Sequence, residues 1–134
     1  MKCASGIHTA LYRASGGRIG SGMQGMPVLL LTTTGRRSGK SRTTPLLYVR
    51  DGDAFAVVAS NGGSDYTPGW WLNLQSDPHA EVEIGRSRSR VTARKASPEE
   101  HGRLWVTFTA GFPGYAKYAT KTAREIPVVM LESR

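Results

Sequence analysis

The chain predicts a small antiparallel β-barrel of the α+β, mostly β class, with about six strands and short helices inserted late. Three observations lead there. Short β-rich apolar runs recur along the chain, hairpin signals separate several of them, and no strand–helix–strand alternation marks a doubly wound sheet.

Residues 1–26 form a lead-in. A short helix is expected over 7–13, and SGGRIGSGMQGM at 15–26 holds five glycines, which reads as a flexible segment rather than an element. The barrel domain then occupies 27–134. Pro27–Thr34 is an apolar, β-rich run expected as a buried strand. Thr43–Arg50 is a second strand, and RDGD at 50–53 is a hairpin turn returning the chain into Ala54–Ser60. The loop NGGSDYTPG ends at Pro68, well placed at the first position of a short helix through Gln75, which SDP at 76–78 stops. His79–Ile84 and Ser87–Arg94 make another hairpin, with Gly85 at its turn. Ser97 and Glu100 match a capping box for a helix to about Ala110. GFPGY breaks that helix, a short one follows near Tyr115–Thr122, and IPVVMLE at 126–132 is the last strand.

Composition narrows the function. At 134 residues and 39% hydrophobic the chain suits one globular domain with no linker. Its longest apolar run, Ala54–Ala59, is too short to span a bilayer, and the N-terminus lacks the apolar stretch of a secretory signal. Cys3 is the only cysteine, which excludes an internal disulfide and a multi-Cys zinc site, so a cytoplasmic home is the default. His8, His79 and His101 are scattered without metal-ligand spacing, and no G-x-S-x-G elbow is present, so neither a metal nor a serine hydrolase is expected.

The net charge of +8 is unevenly placed. Residues 1–50 carry eight Lys and Arg and no acid, whereas residues 51–134 carry ten of each sign. The whole excess therefore sits where an anion or anionic surface would be met, or forms a solvated basic face.

Two motifs resemble nucleotide loops and fail on context. Gly35 to Ser41 reads G-x-x-x-G-K-S, one residue short of a P-loop, and leads into a strand instead of the helix whose N-terminus would face phosphates. Gly20 to Gly25 is a literal G-x-G-x-x-G, but coil precedes it and a strand follows.

Three stretches remain as candidate sites. Arg36, Arg37, Lys40 and Arg42 lie within seven residues, among Thr33, Thr34, Ser38 and Ser41, with Gly35 and Gly39 letting backbone N–H groups approach an anion. An ordinary basic hairpin turn is the alternative. Ser60-Asn61-Gly62-Gly63 ends a strand and can present amides to a heteroaromatic edge; in the helix after it Trp70 and Asn73 share one face. Two adjacent tryptophans cannot both face the core on this reading, so one of Trp70 and Trp71 is expected buried and the other lining a pocket, unless both simply pack the helix. Tyr115 and Tyr118 lie at i, i+3 after a Pro/Gly break, so their hydroxyls can converge on a carbonyl or nitro oxygen, or pack. Arg86, Arg88 and Arg90 alternate on one strand face without interleaved aromatics, as a solvated face does and a single-strand nucleic-acid surface does not.

Taken in order, PVLLLTTTGRRSGKSRTTPLLYVRDGD, VVASNGGSDYTPGWWLNL, DPHAEVEI, FPGYAKY and REIPVVMLE resemble the deazaflavin-dependent nitroreductase family of actinobacteria, over roughly residues 26–133. The resemblance implies a split β-barrel of the flavin-reductase-like, FMN-binding kind, here binding the 8-hydroxy-5-deazaflavin coenzyme F420. It implies hydride transfer from the reduced coenzyme to a quinone, enone or nitro compound. Arg36, Arg37, Ser38 and Arg42, followed by Thr43 and Thr44, would take the coenzyme's phosphate and oligoglutamate tail. Val58, Ala59, Ser60 and Asn61, with Gly69, Trp70, Trp71 and Asn73, would meet the ring and ribityl chain, and Tyr115, with Tyr118 nearby, the substrate. Asn61 stands where some relatives carry Lys and Leu47 where some carry Tyr, so acceptor preference is not carried over.

The expected partner is a small-molecule acceptor rather than nucleic acid, met by a monomer or homodimer without a metal. The site would be cytoplasmic, with peripheral contact at the inner membrane face weighed against the Gly-rich lead-in. The rival readings are a non-catalytic F420-binding protein, an FMN-binding reductase of the same barrel class, and a nucleic-acid-binding barrel.

Overall fold

A computed structural model describes residues 27–60, 67–112, 114–121 and 126–134. The expectations for residues 1–26 and for Asn61 fall outside them. In chain order the elements are β1 (Val28–Thr34), β2 (Ser41–Leu47), β3 (Val49–Asp51), β4 (Ala54–Val58), α1 (Gly69–Ser76), β5 (His79–Ile84), β6 (Ser87–Lys95), α2 (Pro98–Gly111), α3 (Gly114–Lys121) and β7 (Val128–Ser133).

All strand pairs are antiparallel, in the order β2-β1-β5-β6-β7-β4-β3. The strand expected over Thr43–Arg50 is in fact two, so the sheet has seven strands rather than six. The break is Tyr48. On one side of it β2 pairs with β1, and on the other β3 pairs with β4, at the opposite end of the sheet. Two residues advance the chain by at most about 7 Å. The two edge strands, joined through Tyr48 alone, must therefore meet at that corner, and the sheet curls on itself. Among the described residues no ladder joins β2 to β3, so the barrel is split rather than closed. Tyr48 secures the corner: its N–H donates to the Pro27 carbonyl at 3.1 Å, and its ring meets Phe55 edge-on at 5.6 Å. Pro45 is tolerated inside β2 because an edge strand has no ladder bond to lose on its outer side.

Period-two alternation sorts the core onto two faces. Phe55, Val57, Ala59, Val129 and Leu131 join Leu29 and Leu31 in an inner cluster. Ala56, Val58, Val128 and Met130 join Leu104 and Phe108 of α2 in an outer one. β1 is apolar at successive positions because both its faces are covered, Val28 and Leu30 packing against Leu47. Each fully buried Val, Leu or Phe contributes roughly 1.5–3 kcal/mol.

α1 packs on the inner cluster and corrects one expectation. Trp70 and Trp71 are both buried, with ring centroids 6.5 Å apart and planes tilted by 58°. Consecutive helix positions differ by about 100°, and the buried set here is Trp70, Trp71, Asn73 and Leu74. That is a wider arc than the single stripe of a surface helix. The helix is sunk deeply enough for both indoles to find cover.

α2 begins at the expected capping box. Ser97 Oγ accepts from Glu100 N–H at 3.2 Å, while Glu100 Oε1 accepts from Ser97 N–H at 2.9 Å. Arg94 then clamps Glu100 through two contacts of 2.7 and 2.9 Å and reaches Glu132 at 3.1 Å. These ion pairs, with Arg103 on Asp51 and Arg88 on Glu81 and Glu83, engage five of the ten acids of residues 51–134. The Arg88 alternation is thus a cross-strand pairing with β5, where Arg88 stands opposite Glu83 and Arg90 opposite Glu81.

Candidate functional site

Thr34 stands opposite Ser41 in the β1–β2 ladder, so residues 35–40 form the connecting loop. The loop closes on itself. Gly35 N–H donates to the Lys40 carbonyl and Gly39 N–H to the Gly35 carbonyl, both at 2.8 Å, and Lys40 N–H donates to Ser38 Oγ at 3.2 Å. Gly39 sits at φ +71°, which a residue with a side chain resists. A Cβ on Gly35 would lie 2.8 Å from Ser38 Oγ and 3.1 Å from the Lys40 carbonyl, so a side chain there would make the Ser38 hydroxyl and the closing carbonyl shift.

The loop is tied to α1 by one buried amide. Asn73 Oδ1 accepts from Arg36 N–H at 3.2 Å and from Arg36 Nη1 at 3.0 Å. Its Nδ2 donates to Thr33 Oγ1 at 3.1 Å, and Thr33 and Asn73 are both buried. Two N–H donors converge on one amide atom, so that atom is the oxygen.

Four loop amides, those of Gly35, Arg36, Gly39 and Lys40, are therefore engaged within the protein. The expectation that Gly35 and Gly39 open backbone N–H groups to an anion is corrected at these positions: the glycines serve loop closure. What faces outward is cationic side chain. Arg36, Arg37, Lys40 and Arg42 are all exposed, as is Ser38. Among the described residues no carboxylate pairs with any of the four, whereas Arg88, Arg94 and Arg103 all have acidic partners.

Register separates the residues that follow. Opposed residues of an antiparallel pair share a face. Arg42 opposite Thr33, and Thr44 opposite Leu31, thus lie on the inner side with Asn73. Thr43 lies opposite Thr32 on the other face, their hydroxyls 2.9 Å apart. All of Thr43–Leu47 is only half-buried, which leaves β2 as a partly open wall beside the split.

The other expected residues divide in the same way. Val58 packs in the outer cluster together with Tyr115, while Ala59 turns inward with Trp70 and Trp71. Ser60 is buried and Gly69 opens α1. Tyr115 sits in an aromatic cage, its ring centroid 4.8 Å from Phe112, 5.8 Å from Phe108 and 6.3 Å from Trp105. Tyr118 lies further along α3. His101, read from sequence as solvent-facing, is half-buried: its Nε2 lies 3.0 Å from the Ile126 carbonyl and its ring stacks on Trp105 at 5.6 Å. Only the fold brings residue 126 to it, so no local signal could have shown this.

A cleft of about 370 Å³ lies elsewhere, lined by Asp51, Asp53, Arg94, Glu100 and Glu132 among others. Its four carboxylates are of the wrong sign for an anion. The Arg94 contact holds the Glu100 carboxyl down at about 2, and the Arg103 contact lowers that of Asp51.

A closed basic loop, braced by a helix at the edge of a split barrel, can be compared with known proteins. The profile of the family described as F420H(2)-dependent quinone reductase matches residues 4–133. This chain belongs to that family. An F420H(2)-dependent quinone reductase of Mycobacterium tuberculosis (strain H37Rv) is 43% identical over 132 residues, covering 96% of this chain and 89% of that protein. The solved structure of an F420-H2 dependent reductase, FDR-A, is 40% identical with a TM-score of 0.72, over 79% of this chain and 94% of that one. A solved domain-swapped dimer is also 40% identical with a TM-score of 0.73, over 79% of this chain and 80% of that one.

Membership of the F420H(2)-dependent quinone reductase family agrees with the resemblance seen in the sequence and with the split barrel. Among the described residues no helix is long and apolar enough to cross a membrane.

Proposed function

We propose that this chain is an oxidoreductase that binds reduced F420 and uses it to reduce a quinone-type acceptor. The observation that carries the reading is the set Arg36, Arg37, Lys40 and Arg42. It is exposed, lacks carboxylate partners among the described residues, and sits in a chain of the F420H(2)-dependent quinone reductase family. Unpaired cations fit a ligand bearing a phosphate and several carboxylates better than a neutral one.

In this reading Arg36, Arg37, Ser38 and Arg42 bind the phosphate and the oligoglutamate tail. The half-exposed wall of β2, with Thr43 and Thr44, guides the ligand along the split. Val58, Ala59, Ser60 and Asn61 meet the ring system, and Gly69, Trp70 and Trp71 back it from α1. When bound, reduced F420 supplies the hydride. The chain's own part is to hold the acceptor, exclude water and polarise the acceptor's oxygen. Tyr115 is the residue assigned to that oxygen, through its hydroxyl, with Tyr118 nearby, as the family resemblance implies; it lies in the outer cluster with Val58, while Trp70 and Trp71 lie in the inner one. Quinones are the first acceptors to test, enones and nitro compounds the next. A homodimer is proposed because a relative of similar fold forms one, and a cytoplasmic site touching the membrane only peripherally suits a quinone.

The test is a titration with oxidised F420 and, in parallel, FMN, followed by tryptophan quenching. A screen of quinones with the reduced coenzyme comes next. Selective F420 binding with quinone turnover supports the proposal. Binding without turnover leaves a carrier of the coenzyme, and preference for FMN replaces the cofactor.

A further inference from the structure

Asn73 occupies an unusual place in the site. It is buried, it comes from a different element than the loop, and its carbonyl is engaged by Arg36 twice. A buried partner for an arginine is most often a carboxylate, which satisfies the guanidinium and also cancels its charge. Here the partner is an amide. An amide oxygen accepts the same hydrogen bonds but is neutral, so the guanidinium is oriented while its positive charge remains. Nη1 is committed to Asn73, and among the described residues no other acceptor holds the guanidinium, which is exposed.

The geometry points to Asn73 as a positioning residue that aims Arg36 without neutralising it, rather than as a group that touches the coenzyme. The inference rests on the proposed reading and deepens it. The specificity for an anionic ligand at this loop depends on an amide, not a carboxylate, at position 73. Thr33 completes the device, since its hydroxyl accepts from Nδ2 and fixes the amide's orientation. The same hydroxyl can rotate and donate to a carboxylate, so Asn73→Asp preserves every heavy-atom contact and changes only the charge.

That substitution is the experiment. Wild type, Asn73→Asp and Arg36→Gln are titrated with oxidised F420 and with the phosphate-free deazaflavin riboside, at low and high NaCl, and thermal unfolding is followed for each. The inference expects Asn73→Asp to unfold near the wild-type temperature and to bind F420 about ten- to a hundredfold more weakly. Riboside binding is expected unchanged. F420 binding by the variant is expected to lose part of its salt sensitivity, because one fewer free cation is screened. Arg36→Gln should reproduce the loss, and the two changes together should be less than additive. A merely structural role would lower both ligands' affinities alike. F420 binding equal to wild type in Asn73→Asp overturns the inference, as does equal weakening of F420 and riboside. Should Asn73→Asp fail to fold, Asn73→Ala decides, alone and combined with Arg36→Gln: a selective loss of F420 binding that Arg36→Gln does not deepen supports the inference, and F420 binding equal to wild type, or a loss that simply adds to that of Arg36→Gln, overturns it. A wild-type chain that binds neither compound overturns the proposed function, and this inference with it.

Discussion

The side-chain carbonyl of Asn73 accepts from both the backbone N–H and Nη1 of Arg36, a residue 37 positions earlier in the chain. This one acceptor joins α1 to the β1–β2 loop and gives that loop a fixed orientation on the sheet.

The first prediction follows from its burial. Asn73→Ala leaves the Thr33 hydroxyl and the Arg36 amide without their partner. Removing one side of a buried hydrogen-bonded set costs about 1–3 kcal/mol, so urea denaturation should show a loss of that size. A loss near zero would mean that the brace is not formed in solution.

Arg37 and Arg42 behave differently, because they are exposed and no protein partner is left behind when they go. Arg37→Ala and Arg42→Ala should change stability by no more than about 0.5 kcal/mol. Both should weaken F420 binding, and more for a long glutamate tail than for a short one. Unchanged affinity in both variants would remove the loop from the coenzyme site.

The packing of α1 is open to test through its indoles. Trp71→Ala should destabilise the fold by about 3–5 kcal/mol, the usual cost of emptying an aromatic core site. A cost below 1 kcal/mol would show that Trp71 lines a pocket, the place the sequence reading left open to one of the two tryptophans.

Tyr115 combines a buried ring with a hydroxyl. Tyr115→Phe keeps the aromatic contacts to Trp105, Phe108 and Phe112, so stability should hold within about 1 kcal/mol. Quinone turnover should fall with F420 affinity little changed if the hydroxyl polarises the acceptor. Equal turnover would restrict Tyr115 to packing.

The last prediction concerns acid. The Glu100 carboxyl is lowered from 4.5 to about 2, first by Arg94 and then by Ser97. A depressed carboxylate contributes its full stability above its unfolded value and loses it as pH falls through the folded one. The helix cap and the Arg94 pair should therefore weaken between about pH 4.5 and 2, with Asp51 acting in the same direction. Glu100→Gln should unfold at a lower temperature at neutral pH and show a shallower fall over that window. A wild-type curve flat through it would deny the pair a role.

The chain by itself determined most elements, because their signals are local. Hairpin glycines near 52 and 85, the Ser97–Glu100 box and the stop at Asp77–Pro78 each act within a few residues, and the structure has them in place. The acid-free first fifty residues likewise pointed to the basic loop. What only the tertiary structure decided depends on residues far apart in the chain. Tyr48 divides one apolar run into two strands because β1 and β4, its neighbours' partners, lie at different places in the sheet. The two tryptophans are both buried because the inner cluster covers more of α1 than a helical stripe. Arg36 is aimed by Asn73 because the fold packs α1 against β1; without that contact the loop would be three cations on a turn beside Arg42 of β2, with nothing to set the direction of Arg36.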